Sequence, residues 1–350
     1  MDPTRRLTLT ERKVLFAFVE EARRTDAEVA ERTDLKESTV RSCRQNLIKD
    51  GHLRFVNFPA FHKFGCNLVV SHFGDTSLAS SFEMKNEAYR TFFRMNPHVV
   101  DAVSSSDFIA FLGIFRGLSE YLLFWDRHNR FFKDEKILRA PIEPALFPIE
   151  ISRWPIGYNY APSFHRILGL DLQDPVARMP QVLDGQSVKL SKIERETFIA
   201  AISEPNATDA HIAQAVGRSR ARVTELTNRF TKDGLWEHFG IAAMLSPEFG
   251  ATAFVHLKFH PDVSFKKKSL VAGDDWWKQS TVTYHRDSEV QAVYPFCDLK
   301  ECMSLLKQYI SPFKSEEMLA QEPFVRVVLE ETSIDLIDSA FAPLMRQLVI

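Results

Sequence analysis

The amino-acid sequence predicts an α+β protein that consists of one structural unit repeated in tandem. The hexapeptide TDAEVA at Thr25–Ala30 returns as TDAHIA at Thr208–Ala213, and the tripeptide Lys-Asp-Gly follows each copy, at Lys49–Gly51 and Lys232–Gly234. Both pairs are separated by 183 residues, which shows that the chain is internally duplicated. Each copy also passes from helical periodicity to alternating, strand-like stretches, which predicts helices followed by sheet in both halves.

The first copy predicts three short helices. Residues 11–23 carry apolar side chains at helical spacing. Thr25 is an N-cap residue, and Glu28 three positions later completes a capping box, so a second helix begins here. The third helix spans Glu37–Lys49 and ends at Gly51. The second copy repeats this order.

An extended stretch follows the third helix of each copy, His52–Phe58 in the first and Leu235–Leu245 in the second, and we expect it to form a small hairpin. Three helices with a tight turn before the third, followed by a hairpin, are typical of a winged helix-turn-helix, whose third helix enters the DNA major groove. We therefore expect DNA contacts from the polar side chains of both third helices, namely Lys36, Ser38, Thr39, Arg41, Ser42, Arg44, Gln45, Arg218, Ser219, Arg220, Arg222, Thr224, Asn228 and Arg229.

The local charge of both third helices favours DNA binding. The whole chain has a net charge of −2, but segment 36–49 has +3 and segment 218–232 has +4. Because DNA affinity comes largely from neutralised phosphates, such a local excess favours DNA contact in at least one copy. Two alternatives stay open: a polar face that is only solvated, and a winged helix that binds another protein.

Composition narrows the class of protein. Apolar residues make up 45% and charged residues 26%, as in ordinary globular proteins. No apolar run is long enough to span a bilayer, and the N-terminus lacks the apolar core of a signal peptide, so we expect a cytoplasmic protein with no membrane partner. The four cysteines form no CxxC pair, and His256 with His260 lacks a third ligand, so no metal and no cofactor are predicted.

The segment LKESTVRSCRQNLIKDGHLRFVNFPAFHKFG resembles the recognition helix, wing and linker of the Lrp/AsnC family of feast/famine transcription regulators. The likeness rests on Ser38-Thr39-Val40, Leu47, Gly51 and Phe64-Gly65. This resemblance implies that each winged helix leads into a ferredoxin-like (RAM-type) sensor domain of order βαββαβ, which dimerises through its sheet.

The resemblance divides the chain into five segments. They are a winged helix-turn-helix over 1–60, a sensor and dimerisation domain over 61–153, a linker over 154–187, a second winged helix-turn-helix over 188–245, and a second sensor domain with a C-terminal helix over 246–350. The linker stretch contains four prolines and three glycines. Within the second sensor domain, segment 264–279 shows no clear periodicity, and its Lys266-Lys267-Lys268 run is expected in a solvated loop.

The sequence departs from the family at the turn between the second and third sensor strands. Members that bind amino acids commonly have Gly-Asp-Tyr-Asp there, whereas this chain has Ser106-Asp107-Phe108-Ile109 and Arg286-Asp287-Ser288-Glu289. The glycine, which lets backbone approach a ligand closely, is lost in both halves. A free amino acid is therefore not the expected effector, and Asp107 and Asp287 are candidates for binding another small molecule.

Repeat and resemblance together imply a sequence-specific DNA-binding transcription regulator that is not an enzyme. Because one chain carries both halves, we expect an intramolecular pseudo-dimer whose two diverged recognition helices read an asymmetric, non-palindromic DNA site. Its partner is double-stranded DNA, while a small-molecule effector and a homo-oligomer are open alternatives.

A second function stays open because siroheme decarboxylases have a similar architecture, in some cases with two such units in one chain. Those enzymes hold the carboxylates of a tetrapyrrole with a His/Tyr/Arg cluster around the second and third strands. Tyr284-His285-Arg286 lies near that place in the second half, whereas the first half has only Ser104-Ser105-Ser106-Asp107.

Overall fold

The chain passes twice through the same order of elements, three helices and a strand followed by a βαββαβ sheet. The computed structural model describes residues 5–138, 142–154, 160–175, 181–182, 187–242, 248–337 and 340–349. The helices are α1 (Leu9–Glu20), α2 (Asp26–Thr33), α3 (Glu37–Lys49), α4 (Phe82–Arg94), α5 (Leu118–Asp134), α6 (Ala161–Leu168), α7 (Lys192–Ser203), α8 (Asp209–Val216), α9 (Arg220–Lys232), α10 (Phe265–Ala272), α11 (Asp275–Lys278), α12 (Leu299–Ser315) and α13 (Ala342–Leu348). None of the helices in these ranges is long and apolar enough to cross a membrane.

Thirteen strands are described between and after these helices. They are β1 (Leu53–Pro59), β2 (Leu68–Asp75), β3 (Val99–Ser105), β4 (Phe108–Phe115), β5 (Glu143–Pro148), β6 (Arg153–Trp154), β7 (Gln181–Val182), β8 (Trp236–Ala242), β9 (Ala251–Lys258), β10 (Val282–Arg286), β11 (Glu289–Phe296), β12 (Phe324–Leu329) and β13 (Ser333–Ile337). The predicted α+β tandem duplication is confirmed.

The three-helix part of each copy forms as the sequence predicts. Thr25 begins α2 with the expected capping box: its Oγ1 accepts from the Glu28 backbone N–H at 3.2 Å, and the Glu28 carboxylate accepts from the Thr25 N–H at 2.6 Å. Thr208 caps α8 through the His211 N–H at 3.3 Å. Because each cap pairs a backbone group that the helix leaves without a partner, the repeated hexapeptide determines where this helix begins.

The predicted small hairpin after each third helix is wrong for the residues that the structure describes. β1 and β8 are single strands, and they pair with each other in a two-stranded sheet. After β1 the backbone enters the 3-10 helix Phe61–Phe64 instead of turning back. The strand edge that a hairpin partner would occupy is therefore paired with the equivalent strand of the other copy.

Each domain that is expected to be a sensor contains an antiparallel sheet with helices on one face, and the two sheets are named the first and second sensor sheets. The strand order is β13-β3-β4-β2-β5 in one sheet and β12-β9-β11-β10-β6-β7 in the other. In the first, Tyr89 and Phe93 of α4 and Phe124 and Phe132 of α5 pack in the core with Phe111 of β4. In the second, the core contains buried residues of α11 and α12. Part of each sheet comes from outside its own half of the sequence: β13 in the first sheet, and β6 with β7 in the second.

The chain forms two compact units, and each unit joins a winged helix from one half of the sequence to the sensor sheet of the other half. Unit one comprises Met1–Phe55, Ser152–Val182 and Phe239–Thr332, and unit two comprises Val56–Ile151, Leu183–His238 and Ser333–Ile350. The five segments expected from the sequence follow chain order and stay predictions.

Equivalent short helices make this connection in the two units. In unit one, Arg166 of α6 forms an ion pair with Glu301 of α12, while α6 also contacts α1 of the winged helix. In unit two, the Val349 carbonyl just beyond α13 accepts a hydrogen bond from Arg195 of α7 at 3.0 Å. The stretch expected to be a linker thus contains a helix that connects two parts of unit one.

The segment without clear periodicity also forms helices. Ser264 caps α10 through the Lys267 N–H at 3.3 Å. Lys268 is fully buried, so the prediction that the lysine run lies in a solvated loop is wrong. The eight residues of α10 are too few to show a clear helical period, and packing against α12 stabilises the helix.

Two imidazole rings are buried in the core of unit two. The ring of Trp125 stacks between them, with centroids 5.0 Å from His72 and 4.7 Å from His128. Burial holds the pKa of His72 well below its usual value and lowers the pKa of His128 to about 4. The second half has Val255 and Tyr309 at the equivalent positions.

Acid should therefore destabilise unit two through these histidines. Below about pH 6.5 these histidines bind protons in the unfolded chain but not in the folded protein, so the free energy of unfolding falls as pH falls. For His128 the loss between about pH 7.5 and pH 5 is roughly 2 kcal/mol. In urea titrations, we expect the free energy of unfolding of His128→Tyr to fall by correspondingly less over this pH range. The control His211→Tyr should lose as much as the wild-type chain, since the His211 side chain is 58% exposed. A His128→Tyr variant with the full wild-type pH dependence would contradict this account.

Candidate nucleic-acid interface

The third helix of the second copy, α9, exposes arginines at its N-terminal end. Ser219 caps this end, since its Oγ accepts from the Arg222 N–H at 3.3 Å. Arg218 and Arg220 on either side of the cap are exposed, and neither makes an ion pair with any residue that the structure describes. The first turn of α9 contains no acidic residue. Two unneutralised guanidinium groups therefore lie beside the free backbone N–H groups of the helix end.

The next two arginines of α9 are paired. Arg222 forms an ion pair with Glu225 at 2.6 Å, and Arg229 forms one with Glu194 of α7. Asn228 is exposed near the end of the helix. The free arginines of this helix therefore lie at its beginning, and Lys232 at its end is exposed without an ion pair to a described residue.

In the first copy, one aspartate at the start of α2 holds both arginines of α3. Arg44 donates to both carboxylate oxygens of Asp26, at 2.8 and 3.0 Å. Arg41 lies 3.4 Å from Asp26 and 2.7 Å from Glu37. The Arg44 guanidinium also lies over the ring of Phe18, 5.8 Å from its centroid. Neither arginine of this helix presents a free charge.

The remaining predicted contact residues of the first copy lie on the outer side of α3. Val40 and Leu47 hold the opposite side in the core. Thr39 is half-buried, and the other members of the set are exposed: Lys36, Ser38, Ser42 and Gln45. The structure thus gives the predicted side chains of α3 the right exposure but pairs the two arginines with acids. DNA contact by these residues stays a prediction.

The counterpart of Asp26 in the second copy, Asp209, binds hydroxyl groups instead of arginines. Thr224 and Thr227 occupy the positions of the two arginines, and Thr224 donates to Asp209 at 2.6 Å. The offset of 183 residues already aligns these pairs in the sequence. A prediction from the third helices alone does not include this difference, because the aspartate lies on the second helix.

The two candidate effector residues do not occupy equivalent places. Asp107 directly precedes β4, whereas Asp287 lies two positions before β11. The Asp287 carbonyl accepts from the buried Lys268 ammonium at 2.6 Å, and the equivalent Lys85 donates to the Ser106 carbonyl in the first half. Burial lowers the pKa of Lys268 to about 7. Buried lysines therefore hold both turns through backbone oxygens, and effector binding by the two aspartates stays a prediction.

Charged side chains that the sequence did not bring together lie on the second sensor sheet. The Glu289 carboxylate lies 2.7 Å from His256 Nε2 and 2.6 Å from a terminal nitrogen of Arg286. Burial raises the pKa of Glu289, but the hydrogen bond from His256 and the nearby positive charges outweigh it and hold the pKa below its usual value. Gln291 pairs with His256 across the strands and is 1% exposed, and no described residue bonds either polar atom of its side chain.

The strand divides the predicted Tyr284-His285-Arg286 cluster. Successive side chains of a strand face opposite sides of the sheet. His285 Nε2 lies 3.0 Å from Lys268 Nζ, whereas Arg286 pairs with Glu289. The structure instead places Arg286 near His256 of β9, since both contact Glu289. His256 and Arg286 are too far apart along the chain for a local spacing pattern to connect them.

Comparison with known proteins supports the winged helix and the duplicated fold. The family model described as winged helix-turn-helix DNA-binding matches residues 7–53. The crystal structure of the siroheme decarboxylase NirDL is similar over 97% of this chain and 98% of that chain, with 11% identity and a TM-score of 0.51, and its co-complex with an iron-uroporphyrin III analogue gives 0.52. The AsnC family transcriptional regulator from Agrobacterium tumefaciens covers 40% of this chain and 89% of its own, with 17% identity and a TM-score of 0.32. A search of curated proteins finds no match.

These comparisons change one expectation. The first winged helix-turn-helix is confirmed, and the likeness over almost the whole chain confirms the tandem architecture. The expectation that the chain is not an enzyme is wrong, because the fold that it shares over this length is the fold of an enzyme.

Proposed function

We propose that the chain is a sequence-specific DNA-binding transcription regulator of the Lrp/AsnC type, which acts as a covalent pseudo-dimer with two diverged recognition helices. The observation that carries this proposal is the exposed, unpaired arginine pair at the start of α9, in a helix that the repeat relates to the matched winged helix. Double-stranded DNA is the proposed partner.

The charge at the start of α9 is unfavourable for the protein alone. A helix N-terminus carries partial positive charge, so cations in the first turn are unfavourable by about 0.3–1 kcal/mol each. Arg220 and Arg222 both lie in that turn, which contains no acidic residue, and only Arg222 has an acidic partner, Glu225 farther along the helix. In α3 the corresponding turn contains Glu37. A charge distribution that opposes the helix dipole indicates an anionic partner.

A DNA phosphate satisfies the same groups. The free N–H groups and the dipole of a helix N-terminus bind phosphate, and arginine donates to phosphate oxygens in a fixed geometry. Arg218 and Arg220 supply two such donors, and the exposed Asn228 is of the residue type that reads adenine edges. The arrangement therefore supports phosphate positioning at one end of α9 and base contact farther along it.

Removing the two free arginines tests this function. We expect Arg218→Ala/Arg220→Ala to weaken binding to a random-sequence duplex of roughly 40 base pairs, and to reduce the slope of log affinity against log salt by about 2, since each phosphate contact contributes about 0.9. The matched control is Lys300→Ala/Lys307→Ala, which removes two exposed charges from α12. Fluorescence anisotropy at several salt concentrations gives both quantities. Equal slopes in the two double variants, or no binding by the wild-type chain at low salt, would contradict the proposal.

A second candidate function, a tetrapyrrole enzyme similar to siroheme decarboxylase, is favoured by the charged cluster on β9–β11. Its two acid–base residues, His256 and Glu289, have Phe73 and Phe108 as counterparts in the first half. Burying charged groups costs free energy, which pairing or a role in binding or catalysis can offset. Arg286 adds a guanidinium that carboxylate groups prefer as a partner.

Absorption spectroscopy distinguishes the two candidates. Under the enzyme hypothesis, iron-uroporphyrin III mixed with the chain shows a shifted Soret band, and Arg286→Ala weakens this binding at least severalfold, because a carboxylate partner is lost. The control is Arg326→Ala on β12, which leaves the His256–Glu289–Arg286 contacts intact. A Soret band that is unchanged by the wild-type chain rules against this candidate.

A further inference from the structure

We infer that the two winged helices have unequal roles, because Asp26 withholds the arginines of α3 from DNA while α9 presents its own. The inference rests on the proposed DNA-binding function and deepens it: it assigns the DNA-reading role to one helix and names the residue that limits the other. Nothing in the repeat itself requires this difference.

The contact between Asp26 and Arg44 occupies the donors that phosphate needs. Arg44 uses Nε and one terminal nitrogen in two parallel hydrogen bonds to the carboxylate, the same geometry in which arginine binds a phosphate. The Asp26 side chain is only 11% exposed and that of Arg44 33%, so water screens this pair less than an ordinary surface pair. A DNA phosphate must therefore compete with a bound carboxylate for the same nitrogen atoms.

Arg41 is held less firmly. Its side chain is 57% exposed, and its two carboxylate partners, Asp26 and Glu37, lie at 3.4 and 2.7 Å. Exposed pairs of this kind contribute little, so Arg41 is available to DNA at some cost, whereas Arg44 is not. Asp26 also places its negative charge between the two arginines, which reduces the positive potential of the whole helix face.

The second copy provides a natural comparison. Its Asp209 has the same place at the start of α8, but its partner Thr224 is neutral, and Thr227 replaces the second arginine. Removing this carboxylate releases no cation. The two aspartates are therefore matched in position and charge and differ only in what they bind.

This comparison gives the experiment. Asp26→Asn and Asp209→Asn each remove one negative charge from the start of a second helix, and both leave the N-cap threonine in place. Binding of the full chain to the same random-sequence duplex is measured against salt. We expect Asp26→Asn to raise affinity roughly three- to tenfold near 0.1 M salt and to steepen the slope by about 1 to 2, as one or two arginines gain phosphate contacts. Asp209→Asn should leave the slope unchanged.

A third variant attributes the gain to the arginines. In the wild-type background Arg41→Ala/Arg44→Ala should reduce the slope less than Arg218→Ala/Arg220→Ala does, and in the Asp26→Asn background it should remove the added slope. Circular dichroism melts confirm that each variant is folded. Equal slopes in Asp26→Asn and Asp209→Asn overturn the inference, and if Arg218→Ala/Arg220→Ala still weakens binding in that case, the proposed function stands. No binding by any variant overturns both.

Discussion

Each sensor sheet is extended by chain from the opposite half of the sequence, and this exchange is the constraint on which the rest of the structure depends. β13 pairs with β3 in one sheet, and β6 pairs with β10 in the other. A short helix follows each donated strand and contacts a winged helix in the same unit, α6 on α1 and α13 on α7. Neither half can therefore form its complete sheet alone, so the duplication is a structural requirement as well as a doubling of the winged helix.

Duplication also frees the two copies to diverge without losing their shared framework. The cores of the winged helices keep the same pattern, with Val40 and Val223 buried at matching positions. The charged residues differ in position between the copies. In α3, Arg44 lies in the middle of the helix, where Asp26 binds it, whereas Arg218 and Arg220 at the start of α9 form no ion pair with a described residue. The two sheets also differ in charge, because His256 and Glu289 stand where the first half has Phe73 and Phe108. Function is expected where the copies differ, because the fold requires only what they share.

Local interactions made much of the winged helices predictable. A capping box spans four residues and a helix face repeats within two turns, so α2 and α3 follow from neighbouring residues alone. The strand exchange, the pairing of β1 with β8 and the burial of Lys268 depend on contacts between residues that are distant in sequence. No local sequence pattern indicates such contacts. The Asp26–Arg44 pair lies between these cases. Its residues are 18 positions apart, but the internal repeat aligns them with Asp209 and Thr227 and makes the difference visible.

The most direct test of the central claim is a hydroxyl-radical footprint of the full chain on a DNA site selected from a random-sequence pool. Two unequal recognition helices predict one strongly protected half-site, with weaker protection and a different base sequence at the second. Two equally protected half-sites that are inverted repeats of one sequence would show that both helices read DNA alike, and would contradict the account.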